Sequence, residues 1–205
     1  MPGLVLATAP TVEPVTLSDA RLHLKIPSAE TSDDTYITAL IVVARRSVER
    51  FQGRALINQT WDYYLDRFPI ATSLADGHDR WIEVPRPPLS SVTHVKYTPE
   101  GGALTTFASS NYTVDTASTP GRIVLKRTAD WPSTVLEITN GVVIRFIAGY
   151  GAAAANVPEN TVHALKMLVS HLYENREVVA IGSSVVPIPM AIQSLLWEES
   201  SAKWA

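Results

Sequence analysis

The stretch FQGRALINQTWDYYLDRFP, residues 51–69, decides the fold, because one hydrophobic periodicity ends in it and another begins. Before it, apolar residues recur at the three- and four-residue spacing of a helix, at Ile37, Leu40, Ile41, Ala44, Val48 and Phe51. Gly53 then offers the left-handed conformation in which helices commonly end. From Ile57 onward the chain turns to β-branched and aromatic residues, which favour strands. The stretch therefore predicts a helix over roughly residues 34–52, followed by a β region.

The β region continues to about residue 150. Five more short segments are rich in Val, Ile, Thr and aromatic residues and are separated by Pro and Gly turns: RWIEV (80–84), VTHVKYT (92–98), NYTVD (111–115), GRIVLK (121–126) and VVIRFIAGY (142–150). Together with the segment that follows Ile57, they predict about six strands of an antiparallel sheet or a small barrel.

Helical patterns flank the β region on both sides. Before it, VTLSDARLHLKI (15–26) predicts a short helix with Thr16 as its N-cap and Asp19 as the second member of an imperfect capping box. After it, Pro158 suits the first turn of a helix that runs to about Arg176. A last amphipathic helix is predicted from Met190 to about Glu199.

The order helices, strands, helices predicts an α+β fold without βαβ crossovers. In this interpretation, a helical core of about four helices is built from residues 15–56 and 151–199. A β module of residues 57–150 is inserted into it, an extended N-terminal arm covers residues 1–14, and residues 200–205 form a C-terminal tail.

The composition excludes several classes of protein. Hydrophobic residues make up 46% of the 205 residues and charged residues 18%, which suffices for a buried core. The net charge of −3 argues against a protein whose main task is to hold nucleic acid. The chain has no cysteine, so disulfides, thiolate nucleophiles and Cys-ligated zinc are excluded. No segment resembles a signal peptide or a membrane span, so we expect a soluble protein made in a cytoplasm.

No motif indicates catalysis. The sequence lacks a GxSxG elbow, a GxxxxGK[ST] loop, a GxGxxG turn and an HExxH pair. The segment HLYENREVV (171–179) groups several reactive side chains, but helical spacing points them in different directions. His171 and Glu174 could share a metal ion, yet no third ligand is implied. We therefore expect no catalytic residue, no metal site and no cofactor.

A row of basic residues lies on the long helix, where Arg46, Arg50 and Arg54 recur every four residues. One interpretation is an exposed helix face beside Glu49, and the other is a surface that contacts phosphates or an acidic partner.

The five tryptophans fall into two groups. Trp61, Trp81 and Trp131 lie in the β region and are expected to fill its core. Trp197 and Trp204 lie near the chain end, where a short segment cannot easily bury both, so we expect them to contact another protein.

The order of these motifs resembles the head–tail connector, or neck adaptor, proteins of tailed phages and gene transfer agents. The segments that carry the resemblance are PVTLSDARLHLKI (14–26), the opening stretch, WIEVPRPPLSSVTHVKYTPEGG (81–102), NYTVD, the Trp131–Pro132 pair, FIAGYG and VPENTVHALKMLVSHLYENREVV (157–179). Each motif is short and structural, but their order spans about residues 14–198. The β module is similar to that of a longer branch of the family.

The resemblance implies a non-enzymatic protein that forms a ring of twelve copies beneath the portal and extends the DNA channel toward the tail. Its implied partners are the portal and a tail-side neck protein, either a stopper or a tail terminator. Double-stranded DNA would pass without specific binding, and no membrane is involved. The implied location is the virion neck, after synthesis in the cytoplasm of the bacterial host.

The interpretation assigns roles to particular residues. Charged side chains are expected at the contacts between subunits: Arg46, Arg50, Arg54, Glu174, Arg176 and Glu177. Glu174 and Glu177 are also expected to face the channel, and Trp197 and Trp204 to dock on the portal.

Two alternatives stay open at this stage. The first is a β-rich accessory module of a virion that binds a carbohydrate or a receptor, for which exposed tryptophans at 61, 81 and 131 are expected. The second is a hydrolase of unfamiliar type, which would need a polar pocket.

Overall fold

The computed structural model of the protein describes residues 2–69, 80–176 and 189–200. The chain divides into two units, each built from two separate parts of the sequence. The β unit consists of Met1–Pro10 and Asn58–Tyr150, and the helical unit consists of Thr11–Ile57 and Gly151–Ala205. All described strands lie in the first and all described α-helices in the second. The predicted α+β class is therefore confirmed.

The helical unit contains four α-helices among its described residues, as predicted. They are α1 Leu17–His23, α2 Asp34–Gln52, α3 Glu159–Glu174 and α4 Met190–Trp197. None of the helices in the described part of the chain combines the length and the apolar character needed to cross a membrane.

The helix α2 begins and ends where the sequence predicts. Its apolar stripe is buried from Ile37 to Val48, whereas Phe51 is only half-buried. Gly53 caps its C-terminus with a φ of 67°, a left-handed conformation, and donates its N–H to the carbonyl of Glu49. The turn after α2 therefore depends on a conformation that glycine adopts without steric cost.

The helix α1 starts with a complete capping box. The hydroxyl of Thr16 accepts the N–H of Asp19 at 3.0 Å, and the Asp19 carboxylate accepts the Thr16 hydroxyl at 2.7 Å and its N–H at 3.4 Å. These hydrogen bonds satisfy donors that no helical carbonyl can reach. The hydrogen bond from Thr16 also lowers the pKa of Asp19 below its ordinary value.

The β unit contains eight strands among its described residues, two more than predicted. They are β1 Gly3–Thr8, β2 Gln59–Leu65, β3 Trp81–Val84, β4 Leu89–Tyr97, β5 Thr105–Phe107, β6 Tyr112–Asp115, β7 Gly121–Leu125 and β8 Val142–Ala148. One addition is β1, in the segment expected to be an extended arm, because its GLVLAT sequence is paired along the edge of β2. The other is the three-residue strand β5, which forms a hairpin with β4.

The strands form two antiparallel sheets. The larger sheet has the order β1-β2-β8-β4-β5, and the smaller sheet has the order β3-β7-β6. The predicted antiparallel pairing is confirmed, whereas the alternative of a small barrel is wrong for the described residues, because both sheets are open.

The centre of the larger sheet is β8, which pairs with β2 on one side and β4 on the other. Its residues alternate strictly between buried and half-buried, with Val142, Ile144, Phe146 and Ala148 on the buried side. This alternation is the two-residue period of a strand with one face in a core.

The start of β7 approaches the start of β4 closely. A Cβ atom at Gly121 would lie 2.4 Å from the Cβ of Leu89, a distance that side chains do not tolerate. Glycine is therefore required at this position by the close approach of the Leu89 side chain.

The three tryptophans of the β unit do not fill its core, which corrects the expectation from the sequence. Trp61, Trp81 and Trp131 are half-buried, whereas residues such as Phe146 and Ile123 are fully enclosed. Indole rings are large and amphipathic, so they suit a position at the margin of a core.

A partner covers each of these tryptophan rings. Trp131 stacks on Phe68 with 4.9 Å between ring centroids. The guanidinium of Arg86 lies 5.4 Å from the ring centre of Trp61, and the guanidinium of Arg122 lies 5.5 Å from that of Trp81. Cation–π contacts of this kind stabilise exposed sites by about 0.5–1 kcal/mol each.

We expect Phe146→Ala to lower the free energy of unfolding by about 3–5 kcal/mol, because it removes a fully buried ring from the central strand. The control is Ile147→Ala, the next residue, which lies on the half-buried side of β8 and should cost less. Urea denaturation followed by tryptophan fluorescence measures both, since Trp61 is the cross-strand partner of Phe146. Equal losses in the two variants would contradict the assignment of the core face.

Candidate assembly surface of the helical unit

The outer face of α2 is the most extended exposed helix face that the structure describes. Thr35, Ala39, Val43, Arg46 and Arg50 are exposed and follow one another at three- or four-residue spacing, which places them in one row. Val43 is 48% exposed. The first half of the row has small side chains, Thr35, Ala39 and Val43, and the second half is basic, so the row combines a close-packing surface with two positive charges.

The first two members of the predicted basic row, Arg46 and Arg50, lie on this face, and the third does not. Arg54 follows the end of α2 at Gln52 and the turn at Gly53, so helical spacing does not apply to it. Its side chain is buried, and its Nε donates a hydrogen bond to the carbonyl oxygen of Glu199. Arg54 therefore holds the C-terminal segment of its own chain.

A charged network is buried beside the exposed face of α2. Arg45 donates from Nε to Glu13 at 2.7 Å and from Nη1 to Glu49 at 2.8 Å. The other oxygen of Glu49 accepts the N–H of Leu56 at 3.0 Å. Arg45 and Glu49 are both buried, although the sequence suggested an exposed face beside Glu49.

The polar end of α3, which the sequence singled out, forms a clasp with the loop before α2. Arg176 donates to the carboxylate of Asp33 at 2.5 Å, and the hydroxyl of Tyr173 donates to the same oxygen at 2.5 Å. The guanidinium also lies 4.7 Å from the ring centre of Tyr36 and 4.6 Å from that of Tyr173. The clasp therefore consists of Asp33, Tyr36, Tyr173 and Arg176.

The electrostatics of the clasp give it a structural role. Hydrogen bonds from Tyr173 and Arg176 lower the pKa of Asp33 below its ordinary value. The same carboxylate raises the pKa of Tyr173 and that of Arg176. Each group is thereby held in the charge state it has at neutral pH, so none of the three is prepared to transfer a proton.

The remaining predicted residues at this end of the chain have different positions. Glu174 is exposed in the last turn of α3, and Glu177 lies outside the described residues. The side-chain nitrogen of Asn175 lies 3.4 Å from the Nδ1 of His171. Among the described residues, no group of three or more potential ligands could hold a metal ion.

The C-terminal helix presents one tryptophan to solvent. Trp197 is 54% exposed and makes an edge contact with Phe51, with 6.4 Å between the ring centroids. The predicted second tryptophan, Trp204, lies outside the described residues. The backbone beside Trp197 is anchored, because the side-chain amide of Gln52 donates to the carbonyl of Leu196 at 3.1 Å.

Sequence reasoning missed the clasp and the buried network. Asp33 is the N-cap residue of α2, but its side chain makes no capping hydrogen bond. It is instead bonded to a residue 143 positions away. No local pattern in the sequence indicates such a pairing. An aspartate before a helix can cap that helix or pair with a distant arginine, and the sequence around it is the same in both cases.

Solved structures share this fold over nearly the whole chain. A chain from the neck of an empty gene transfer agent particle, computed with C6 symmetry, superimposes with a TM-score of 0.77 at 20% identity, covering 97% of this chain and 95% of that chain. A chain from the virion of a native gene transfer agent particle gives 0.74 at 20% identity, covering 96% and 94%. A chain from the neck of a native particle computed with C12 symmetry gives 0.65 at 22% identity, covering 98% and 94%.

No protein-family model matches the chain, and no curated protein matches it. The structural similarities show that the fold is the one found in the necks and virions of gene transfer agent particles, as the resemblance of the sequence motifs implied.

The clasp predicts a pH dependence of stability. Because the pKa of Asp33 is lowered on folding, its contribution is fully present above the ordinary value of 3.8 and is lost as the pH falls through the lowered value. Asp33→Asn should therefore reduce the melting temperature at pH 7, and the difference from the wild type should shrink toward zero in acid.

Thermal unfolding from pH 7 down to about pH 2.5 measures this difference. Glu174→Gln is the matched control, since it removes an exposed carboxylate near the clasp and should change the melting temperature little at pH 7. A constant difference between Asp33→Asn and the wild type at every pH would show that the carboxylate charge is not responsible.

Proposed function

We propose that this chain is a structural connector in the neck of a phage or phage-like particle, where it forms a ring beneath the portal and extends the DNA channel toward the tail. The observation that carries the proposal is the agreement in fold over 97% of the chain with a TM-score of 0.77. The agreement includes the β unit as well as the helices, because a match confined to either could not reach this coverage. We place the protein in the virion neck, after its synthesis in the cytoplasm of the bacterial host.

A ring of identical subunits is part of the proposal. Two of the similar neck structures were computed with C6 and C12 symmetry, which supports a homo-oligomeric ring, and we propose twelve copies. The proposed partners are the portal on one side and a stopper or tail terminator on the other, and no membrane is involved. We also propose that residues 57–150 are an insertion in the helical core, and β1 from the N-terminal segment completes the larger sheet of this β unit.

The exposed face of α2 is our candidate for the contact between neighbouring subunits. Rotational symmetry requires one surface of each copy to meet a different surface of the next. Thr35, Ala39 and Val43 allow a close approach, while Arg46 and Arg50 supply positive charge. We assign the negative charge of the facing surface to Glu174 and Glu177, at the channel side of the contact.

Two of the arginines that the sequence placed at the contacts between subunits, Arg54 and Arg176, take a different role in this proposal. Arg176 fixes the end of α3 through the clasp, and Arg54 fixes the segment after α4 through the carbonyl of Glu199. Both therefore shape the contact surface from within their own subunit and do not cross to the next.

Passage of DNA without binding fits the charge of the chain. Each phosphate contact adds salt-dependent affinity, which would hold DNA in the channel. The chain has 20 acidic and 17 basic residues, so it presents no excess of positive charge.

The other two interpretations receive less support. Each tryptophan of the β unit has an aromatic ring or a guanidinium against it, which leaves less free ring surface for a sugar. For a hydrolase, the charged groups at the end of α3 are committed to the clasp, so we propose a protein without enzymatic activity.

The double variant Arg46→Glu, Arg50→Glu should abolish ring assembly on purified portal, because it reverses the charge of the α2 face. The control Arg46→Lys, Arg50→Lys keeps the charge and should assemble like the wild type. Negative-stain electron microscopy of mixtures with portal counts the rings.

The same variants test the position of the row relative to DNA. In a duplex titration at low salt, the wild-type subunit and the Glu variant should both bind negligibly. Strong binding by the wild type that disappears in the Glu variant would place the row in the channel.

Trp197→Ala should weaken docking on the portal by about tenfold or more, as loss of a central aromatic side chain does at protein interfaces. The substitution is a cleaner test than truncation at residue 197, because truncation would also remove the Glu199 carbonyl that accepts from the buried Arg54. The control is Met190→Ala, at the exposed start of α4. Equal portal affinity of the wild type and Trp197→Ala would exclude Trp197 from docking.

A further inference from the structure

The larger sheet of the β unit ends in an edge strand that differs from the other edges the structure describes. The edges are β1 and β5 in the larger sheet and β3 and β6 in the smaller one. β5 has three residues, and β3 and β6 have four each. β3 and β6 also contain Glu83 and Asp115. Short length and charge are the usual means by which proteins prevent an edge from pairing with a foreign strand.

β1 uses neither of these means. It has six residues, GLVLAT, and none of them is charged or proline. Its pairing with β2 is regular from Gly3 to Leu6, and the one irregularity lies at its end, between Leu6 and Thr8. Within the described residues, β1 is therefore the longest edge.

Both faces of β1 carry exposed apolar side chains. Val5 is 53% exposed and lies opposite Asp62, whereas Leu6 is 39% exposed and lies opposite Trp61. Successive residues of a strand point to opposite faces. An added strand would therefore bury apolar surface on both sides of the sheet while it pairs with the free backbone groups of β1.

The chemistry of β1 specifies the occupant. Free N–H and C=O groups along an edge are recognised by another extended segment. Because β1 offers no charge, affinity must come from backbone hydrogen bonds and from apolar side chains at alternate positions. A charged segment would gain no ion pair here.

A second copy of the chain is a poor occupant. Pairing of β1 with β1 of another copy in antiparallel orientation is a two-fold contact, which closes after two subunits. A ring needs contacts that repeat in one direction around its axis. The other edge of the sheet, β5, has three residues and could pair with only half of the six-residue β1. The occupant is therefore expected to belong to a different protein.

We propose that β1 is a docking strand that accepts an uncharged extended segment of another neck protein, which extends the larger sheet by one strand. The inference rests on the proposed function, because it places the chain in an assembled neck.

Hydrogen–deuterium exchange by mass spectrometry on residues 3–8 tests the inference, with the free subunit compared with purified particles. We expect the β1 amides to exchange about tenfold or more slowly in the particle, because new hydrogen bonds must open first. Absence of the chain from the neck would overturn the proposed function and this inference with it. Presence in the neck with unchanged exchange of β1 would overturn this inference alone.

A pair of variants tests the apolar character of the contact. Val5→Lys places a charge on the edge, and Leu104→Lys makes the same change at a residue 55% exposed in the connection between β4 and β5. Val5→Lys should remove the protection of β1 in particles, whereas Leu104→Lys should retain it. Full protection in Val5→Lys particles would contradict docking at this edge.

A photo-cross-linking benzoylphenylalanine at position 5 identifies the occupant in purified particles. We expect a cross-link to an uncharged segment of a different particle protein. A cross-link to a second copy of this chain would overturn the assignment of the partner.

Discussion

The carboxylate of Glu49 fixes the path of the chain where α2 ends. One oxygen accepts from Arg45 and the other accepts the N–H of Leu56, so a single buried side chain joins the last turns of the helix to the residues beyond Gly53. Arg45 extends the network to Glu13, before α1. Removing one member of a buried ion pair usually costs about 3–5 kcal/mol, since the other charge is left without a partner. These buried charges lie beside the exposed face of α2, since Arg45 and Glu49 immediately precede Arg46 and Arg50 in the helix.

The sequence predicted well what is local. The bounds of α2, its cap at Gly53 and the Thr16–Asp19 box all depend on residues within a few positions of each other, and all are confirmed. The strand β1 was expected only as part of an extended arm, because residues 1–14 are rich in Pro and Ala. Its conformation depends on β2, more than fifty residues away, which no local pattern reports.

The placement of Arg54 shows how two local signals compete. Its four-residue spacing from Arg50 suggested one helix face, but Gly53 precedes it and ends the helix. The stop signal takes precedence, since spacing has meaning only while the helix continues. The clasp differs, because Asp33 and Arg176 are far apart in sequence and each had a plausible local role. The candidate site was therefore predictable for Arg46 and Arg50 and not for the clasp.

Four arginines of the helical unit are bonded within their own chain, which bears on the weak DNA affinity that we propose for the subunit. Arg21 donates to the carbonyls of Pro27, Ser28 and Glu30 and pairs with Asp34. Arg45, Arg54 and Arg176 are bonded to Glu49, to the Glu199 carbonyl and to Asp33. A guanidinium already bonded within its own chain must break those bonds before it can bind a phosphate, so its affinity for DNA falls. The fold thus uses the charge of these four arginines to hold its own loops and helix ends, whereas Arg46 and Arg50 are exposed on the face of α2.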